Sequence, residues 1–112
     1  MTRYLGGDDA QLKPVLVSQD VRRCPDLTVE TASALIGKSR EETDLCIPLD
    51  VISRVHARID TDGENVYLTD ENSTNGTFVN NERLAPMEKR QVCSGDYISF
   101  ATVHFKLQMR DY

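Results

Sequence analysis

Thr102-Val103-His104-Phe105-Lys106-Leu107-Gln108-Met109 alternates polar and apolar side chains without a break. Successive side chains of a β-strand point to opposite faces, so this pattern predicts a strand. Val103, Phe105, Leu107 and Met109 turn to a core, and Thr102, His104, Lys106 and Gln108 turn outward. Upstream, Val55-His56-Ala57-Arg58-Ile59 repeats the alternation, with Val55, Ala57 and Ile59 on one face and His56 and Arg58 on the other. Asp60-Thr61-Asp62-Gly63 then supplies turn residues, and Val66-Tyr67-Leu68-Thr69 completes a predicted hairpin. Pro14-Val15-Leu16-Val17, Leu27-Thr28-Val29 and Ala34-Leu35-Ile36 are compact apolar runs, the last ending at Gly37. Helical periodicity is weak throughout, and Pro86-Met87-Glu88-Lys89-Arg90 has room for one turn at most. Many short strands, no internal repeat and almost no helix predict an all-β sandwich.

The chain has 112 residues, enough for one domain with a core and too few for two. Residues 1–12, with Gly6-Gly7-Asp8-Asp9, are expected to be a flexible lead-in or linker, and residues 13–112 the domain. A net charge of −5 argues against nucleic acid, whose binders carry a basic surplus. Apolar runs fall far short of the ~20 residues that span a bilayer, so no membrane helix is expected. Met1-Thr2-Arg3-Tyr4-Leu5-Gly6-Gly7 lacks the apolar stretch of a secretory signal. Cys24, Cys46 and Cys93 are odd in number and widely spaced, which predicts free thiols filling the core in a reducing, cytoplasmic setting. No C-x-x-C pair offers a zinc site, and neither a metal nor another cofactor is expected.

A sandwich carries its binding groups on the loops between strands. Three polar clusters fall in such places: Gly37-Lys38-Ser39, Ile52-Ser53-Arg54-Val55-His56-Ala57, and the run from Asp70 through Asn72-Ser73-Thr74-Asn75-Gly76-Thr77 to Asn80. Each combines cations or short hydroxyl and amide side chains, and two carry a glycine that lets backbone approach a ligand.

In order and approximate spacing these clusters resemble the G-R-S, S-R-x-H and N-S-T-N-G-T motifs of the forkhead-associated (FHA) domain family, in the style of bacterial members. Ser94-Gly95-Asp96-Tyr97-Ile98 is similar to the family's G-D-x-I segment, and the resemblance covers residues from about 14 to 109. It implies a sandwich of two antiparallel sheets with binding loops at one end, acting as a phosphothreonine-peptide reader in Ser/Thr-kinase signalling. Ser53 resembles the serine that holds the phosphate, Lys38 stands where the family has its phosphate-contacting arginine, and Ser39 beside it is expected to join the phosphopeptide-binding residues. Arg54 adds charge, Thr74 resembles a residue holding the phosphate and the threonine methyl, and Asn75 resembles the asparagine that clamps the peptide main chain. Gly37, His56 and Gly76 look architectural.

The chemistry suits these roles. Phosphothreonine brings about −1.5 to −2 charges and three acceptor oxygens. An amide carries both a donor and an acceptor for a peptide backbone. Lysine in place of arginine exchanges a planar fork for a point charge, so bidentate geometry is lost there. That substitution keeps a second reading open, an FHA-like scaffold that binds an unphosphorylated partner surface. A Ser53–His56 hydrolase pair lacks an orienting third group and an oxyanion hole, so no catalytic residue and no enzyme activity are expected. The charged run Arg40-Glu41-Glu42-Thr43-Asp44 reads as a solvated loop. A monomer is expected, with Thr2 as a phospho-acceptor through which the tail of one chain would engage another.

Overall fold

The computed structural model describes residues 12–111, so residues 1–11 of the expected lead-in, Thr2 among them, lie outside the described residues, and Leu12 opens the first strand. Among the described residues, eleven strands follow one another: β1 (Leu12–Ser18), β2 (Leu27–Thr28), β3 (Ser33–Gly37), β4 (Leu45–Cys46), β5 (Ala57–Thr61), β6 (Val66–Asp70), β7 (Thr77–Val79), β8 (Glu82–Arg83), β9 (Lys89–Val92), β10 (Tyr97–Phe100) and β11 (Val103–Asp111). One sheet has the order β9-β6-β5-β3-β4 and the other β2-β1-β11-β10-β7-β8. Among the described residues every pairing is antiparallel except β3–β4, which runs parallel. The expected sandwich is therefore correct, with one parallel edge pair added.

The alternation in the sequence decides what is buried. Val103, Phe105 and Leu107 of β11 point inward, as do Ile98 and Phe100 of β10, and they meet Ala57, Ile59, Val66, Leu68, Ala34 and Ile36 from the opposite sheet. The Phe100 and Phe105 rings pack with centroids 5.7 Å apart. Turn chemistry sets the strand ends. Gly63 and Gly95 take positive φ at the bends after β5 and before β10. Asn80 and Asn81, at φ 50° and 69°, make the two-residue link between β7 and β8, where paired left-handed residues match strand twist.

Two local readings need correcting. Pro86 and Met87 form a turn, and Lys89 and Arg90 belong to β9, so no helical turn exists there. Pairing of Lys89 with Thr69 and Arg90 with Leu68 fixes them in the sheet, where tertiary contact overrides weak local preference. Of the three free cysteines only Cys24 is in the core, while Cys46 is half-buried and Cys93 exposed.

Candidate functional site

Antiparallel register brings the key loops to one end. Ala57 pairs with both Ile36 and Asp70, and Phe100 pairs with Thr77, so β3 and β6 end, and β5 and β7 begin, side by side. The loops at residues 38–44, 47–56, 71–76 and 101–102 therefore share that end.

Ser53 is the junction between them. Its carbonyl accepts from Lys38 N–H at 2.9 Å, and its own N–H donates to His56 Nδ1 at 3.0 Å. Its hydroxyl oxygen accepts from Thr74 N–H at 3.0 Å, and among the described residues no acceptor takes the hydroxyl hydrogen. A hydroxyl that accepts one bond keeps its hydrogen for a further acceptor, so Ser53 is set up as a donor. Asn75 donates from its amide nitrogen to the Val51 carbonyl at 2.8 Å. That contact fixes the amide and leaves its oxygen and second hydrogen for other partners. Thr74 and Asn75 are both exposed.

His56 is not on the outer face predicted by alternation. It precedes β5 and is wholly buried. Because Nδ1 accepts the Ser53 backbone N–H, the ring hydrogen sits on Nε2, which donates to the Gly76 carbonyl at 2.8 Å. The ring meets Phe100 edge-on at 5.8 Å, tying the loops to the core. Burial pushes the imidazole below its ordinary pKa, so the neutral form is favoured. Both nitrogens are engaged by backbone, so neither serves as a base for the Ser53 hydroxyl.

The glycines are fixed by crowding. A Cβ on Gly37 would lie 2.2 Å from the Arg54 carbonyl oxygen, because Ser39 N–H donates to that carbonyl at 3.1 Å and draws the two loops together. Gly76 has φ +93°, and a Cβ there would stand 2.8 Å from Arg83 Nε.

Asp70, which the sequence reading placed in the third cluster without a role, holds the loop of residues 71–76 from beneath. This buried carboxylate accepts from the Thr77 hydroxyl at 2.7 Å, the Ser73 hydroxyl and the Ser73 N–H at 3.2 Å. Ser73 Oγ in turn accepts from Gly76 N–H at 3.0 Å. Three donors onto one buried carboxylate satisfy it without a cation.

The cations are held differently. Lys38 Nζ lies 2.9 Å from Asp50 Oδ1, and Arg54 pairs with Glu42, its Nε 3.1 Å from the carboxylate. Hydrogen bonds from Arg54 and Lys38 hold the Glu42 and Asp50 carboxyls below their usual range. Ser39 Oγ accepts from the Glu42 N–H at 3.2 Å, so this hydroxyl caps its own loop. The run from Arg40 to Asp44 is thus not merely solvated, because Glu42 grips a cation of the neighbouring loop. Lys38, Ser53, Arg54, Thr74 and Asn75 are thereby drawn to one end of the sandwich, with no metal-binding group of His, Cys, Asp and Glu among the described residues.

The sequence model of the FHA domain matches residues 34–101, which takes in all three motif loops. This chain belongs to the FHA domain family. Among curated proteins, it is 32% identical over 96 residues to the protein FraH of Nostoc, covering 80% of this chain and 32% of FraH. It is 41% identical over 66 residues to FhaA of Mycobacterium tuberculosis, covering 59% of this chain and 12% of FhaA. The chain thus spans about a third or less of the length of these relatives. Among solved structures, an FHA domain studied for phosphothreonine-dependent interactions superimposes with a TM-score of 0.76 at 28% identity, covering 88% of this chain and 97% of that one. EmbR of Mycobacterium tuberculosis, in complex with a low-affinity phosphopeptide, gives 0.73 at 26% identity, covering 86% of this chain and 24% of EmbR. The FhaA FHA domain, complexed with the intracellular domain of another protein, gives 0.73 at 27% identity, covering 86% and 99%. FHA domains are binding modules.

Proposed function

We propose that this FHA domain binds phosphothreonine-containing segments of partner proteins through Ser53, Lys38, Arg54, Thr74 and Asn75, and that it has no catalytic activity. The observation that carries this reading is the Ser53 hydroxyl, oriented by Thr74 N–H with its own hydrogen unclaimed, on loops that also carry two cations. A phosphate dianion supplies the acceptors such donors need, and charge-assisted bonds of this kind contribute about 1.5–3 kcal/mol each. Asn75, anchored to Val51, presents its amide oxygen to the N–H of a peptide lying beside the phosphate. His56 supports the non-catalytic part of the reading, since both its ring nitrogens are bonded to backbone groups. Such a reader serves Ser/Thr-kinase signalling, in keeping with a cytoplasmic, monomeric domain that uses no nucleic acid and no membrane.

Titration with a phosphothreonine peptide, its phosphoserine analogue and its unmodified twin tests the reading. Binding is expected to phosphothreonine, weaker by about 0.8 kcal/mol for phosphoserine, which lacks one buried methyl. Equal affinity for the phosphorylated and unmodified peptides would favour the scaffold reading, under which Lys38 and Arg54 simply hold their loops through Asp50 and Glu42.

A further inference from the structure

The outer face of the six-stranded sheet carries a groove that begins at the recognition loops. Next to Asn75 and Val51 a cavity opens onto Phe78 and Ala101. Phe78 and Ala101 also line the next cavity along, together with Ser99 and His104. Ser99 and His104 in turn line a third, which ends at Tyr97 and Gln19. Shared walls make these three one continuous track.

Strand register explains why it exists. Phe78, Ser99 and His104 are paired neighbours on β7, β10 and β11, forming one row across the sheet. Their sequence neighbours Ile98 and Phe100 face the core, so this row faces out. The Ser99 hydroxyl and His104 Nδ1 are 2.7 Å apart, giving the row a polar floor between aromatic walls. Tyr97 is 52% exposed, and its ring is 5.5 Å from Lys106 Nζ. Aromatic side chains are enriched at protein interfaces.

A second observation lies at the joint. Ala101 takes φ 56°, a left-handed conformation that brings a Cβ close to the following carbonyl oxygen. Its N–H donates to the Gly76 carbonyl at 2.8 Å, the same oxygen that His56 holds, so the joint is fastened to the recognition loop. That φ belongs to the two-residue turn Ala101-Thr102 between β10 and β11, where a left-handed first residue matches strand twist.

Resting on the phosphothreonine reading, we propose that this track is a second contact surface, occupied by the partner polypeptide that runs on from the phosphothreonine. Continuity selects this occupant, because a chain leaving Asn75 meets Phe78 and Ala101 first. Strands about 4.8 Å apart make the row roughly 10 Å wide, which three to four extended residues cross. The domain therefore reads a longer segment than its loops alone can touch, and it discriminates among phosphothreonine sites by sequence well beyond the phosphate.

The test selects phosphothreonine peptides with about a dozen random residues on each side, then truncates the winners to about three per side, short of the reach this row requires. Affinities are measured on the parent, on Tyr97→Ser and on His104→Ala, with thermal melts to establish folding. The long peptides should bind the parent at least about tenfold more tightly than their truncated forms, as a small aromatic hot spot produces. Both variants should lose most of that gain while binding the truncated forms as the parent does. Equal affinity of long and truncated peptides overturns the proposal, and so does a gain that survives both substitutions. Selection of long peptides that bind equally well without the phosphate would instead overturn the phosphothreonine reading, and the proposal with it.

Discussion

The side chains that brace the loop of residues 71–76 are buried, whereas the charged side chains that brace the loop of residues 38–44 lie at the surface, beside backbone bonds from Lys38 and Ser39 N–H to the Ser53 and Arg54 carbonyls. Asp70, Ser73, Thr77 and His56 are buried, and every bond they make to the first loop is out of water. Arg54–Glu42 and Lys38–Asp50 are exposed ion pairs, with the Asp50 side chain 99% accessible. Buried polar networks are costly to break, while exposed pairs contribute little and exchange readily. One wall of the site is therefore preorganised and presents Thr74 and Asn75 without rearrangement. The other offers cations whose carboxylate partners a phosphate dianion can replace.

The largest effects should come from the fixed wall and its junction. On the proposed roles, Ser53→Ala removes a phosphate donor and Asn75→Ala releases the peptide backbone. Each should cost about 2–5 kcal/mol of phosphopeptide affinity, read by calorimetry on variants whose melts show an intact fold. Asp70→Ala leaves buried donors without an acceptor and should lower unfolding stability by about 2–4 kcal/mol in urea. Glu42→Gln should leave that stability nearly unchanged. A small effect of Asp70→Ala would dissolve the contrast between the two walls.

Much of this was legible in the sequence, and the exceptions share a cause. Alternation found β5, β6 and β11, and the three motif clusters located the loops and their likeness to the FHA family. Alternation failed at His56, which it placed on the outer face, because the chain bends before Ala57 and turns the imidazole inward to serve two backbone groups. The run from Pro86 to Arg90 looked helical only because sheet pairing is invisible locally. Asn80-Asn81 carries a readable hairpin signal, two residues tolerant of left-handed φ. The clamps are a harder case. Glu42 meets Arg54, and Lys38 meets Asp50, across twelve residues each, so loop closure decides the pairing and no local pattern announces it.

A smaller effect should follow pH. The buried His56 has its pKa depressed in the folded state, so the unfolded chain binds more protons once pH falls below its ordinary value. Stability then declines as pH drops below about 6.5 and continues to fall toward the folded pKa. The depressed carboxyls of Glu42 and Asp50 lose their contribution only at lower pH, below about 4.5. Chemical denaturation at pH 7 and pH 5 reads the difference, and equal stability at the two would contradict the buried neutral imidazole. The smallest expected change sharpens the other side of the comparison. Glu42→Gln removes a carboxylate that competes with phosphate for Arg54, so phosphopeptide affinity should rise about two- to fivefold, the scale of an exposed pair.

The most direct measurement is a crystal structure of the domain with a phosphothreonine peptide bound. The phosphate is expected within hydrogen-bond distance of Ser53 Oγ, with Arg54 or Lys38 turned from its carboxylate onto a phosphate oxygen. The Ser53–His56–Gly76 and Asp70–Ser73–Thr77 bonds are expected to stay as they are. A phosphate seated away from Ser53, or one seated there while both ion pairs remain closed and the loop of residues 71–76 rearranges, would contradict this division between a fixed wall and an exchangeable one.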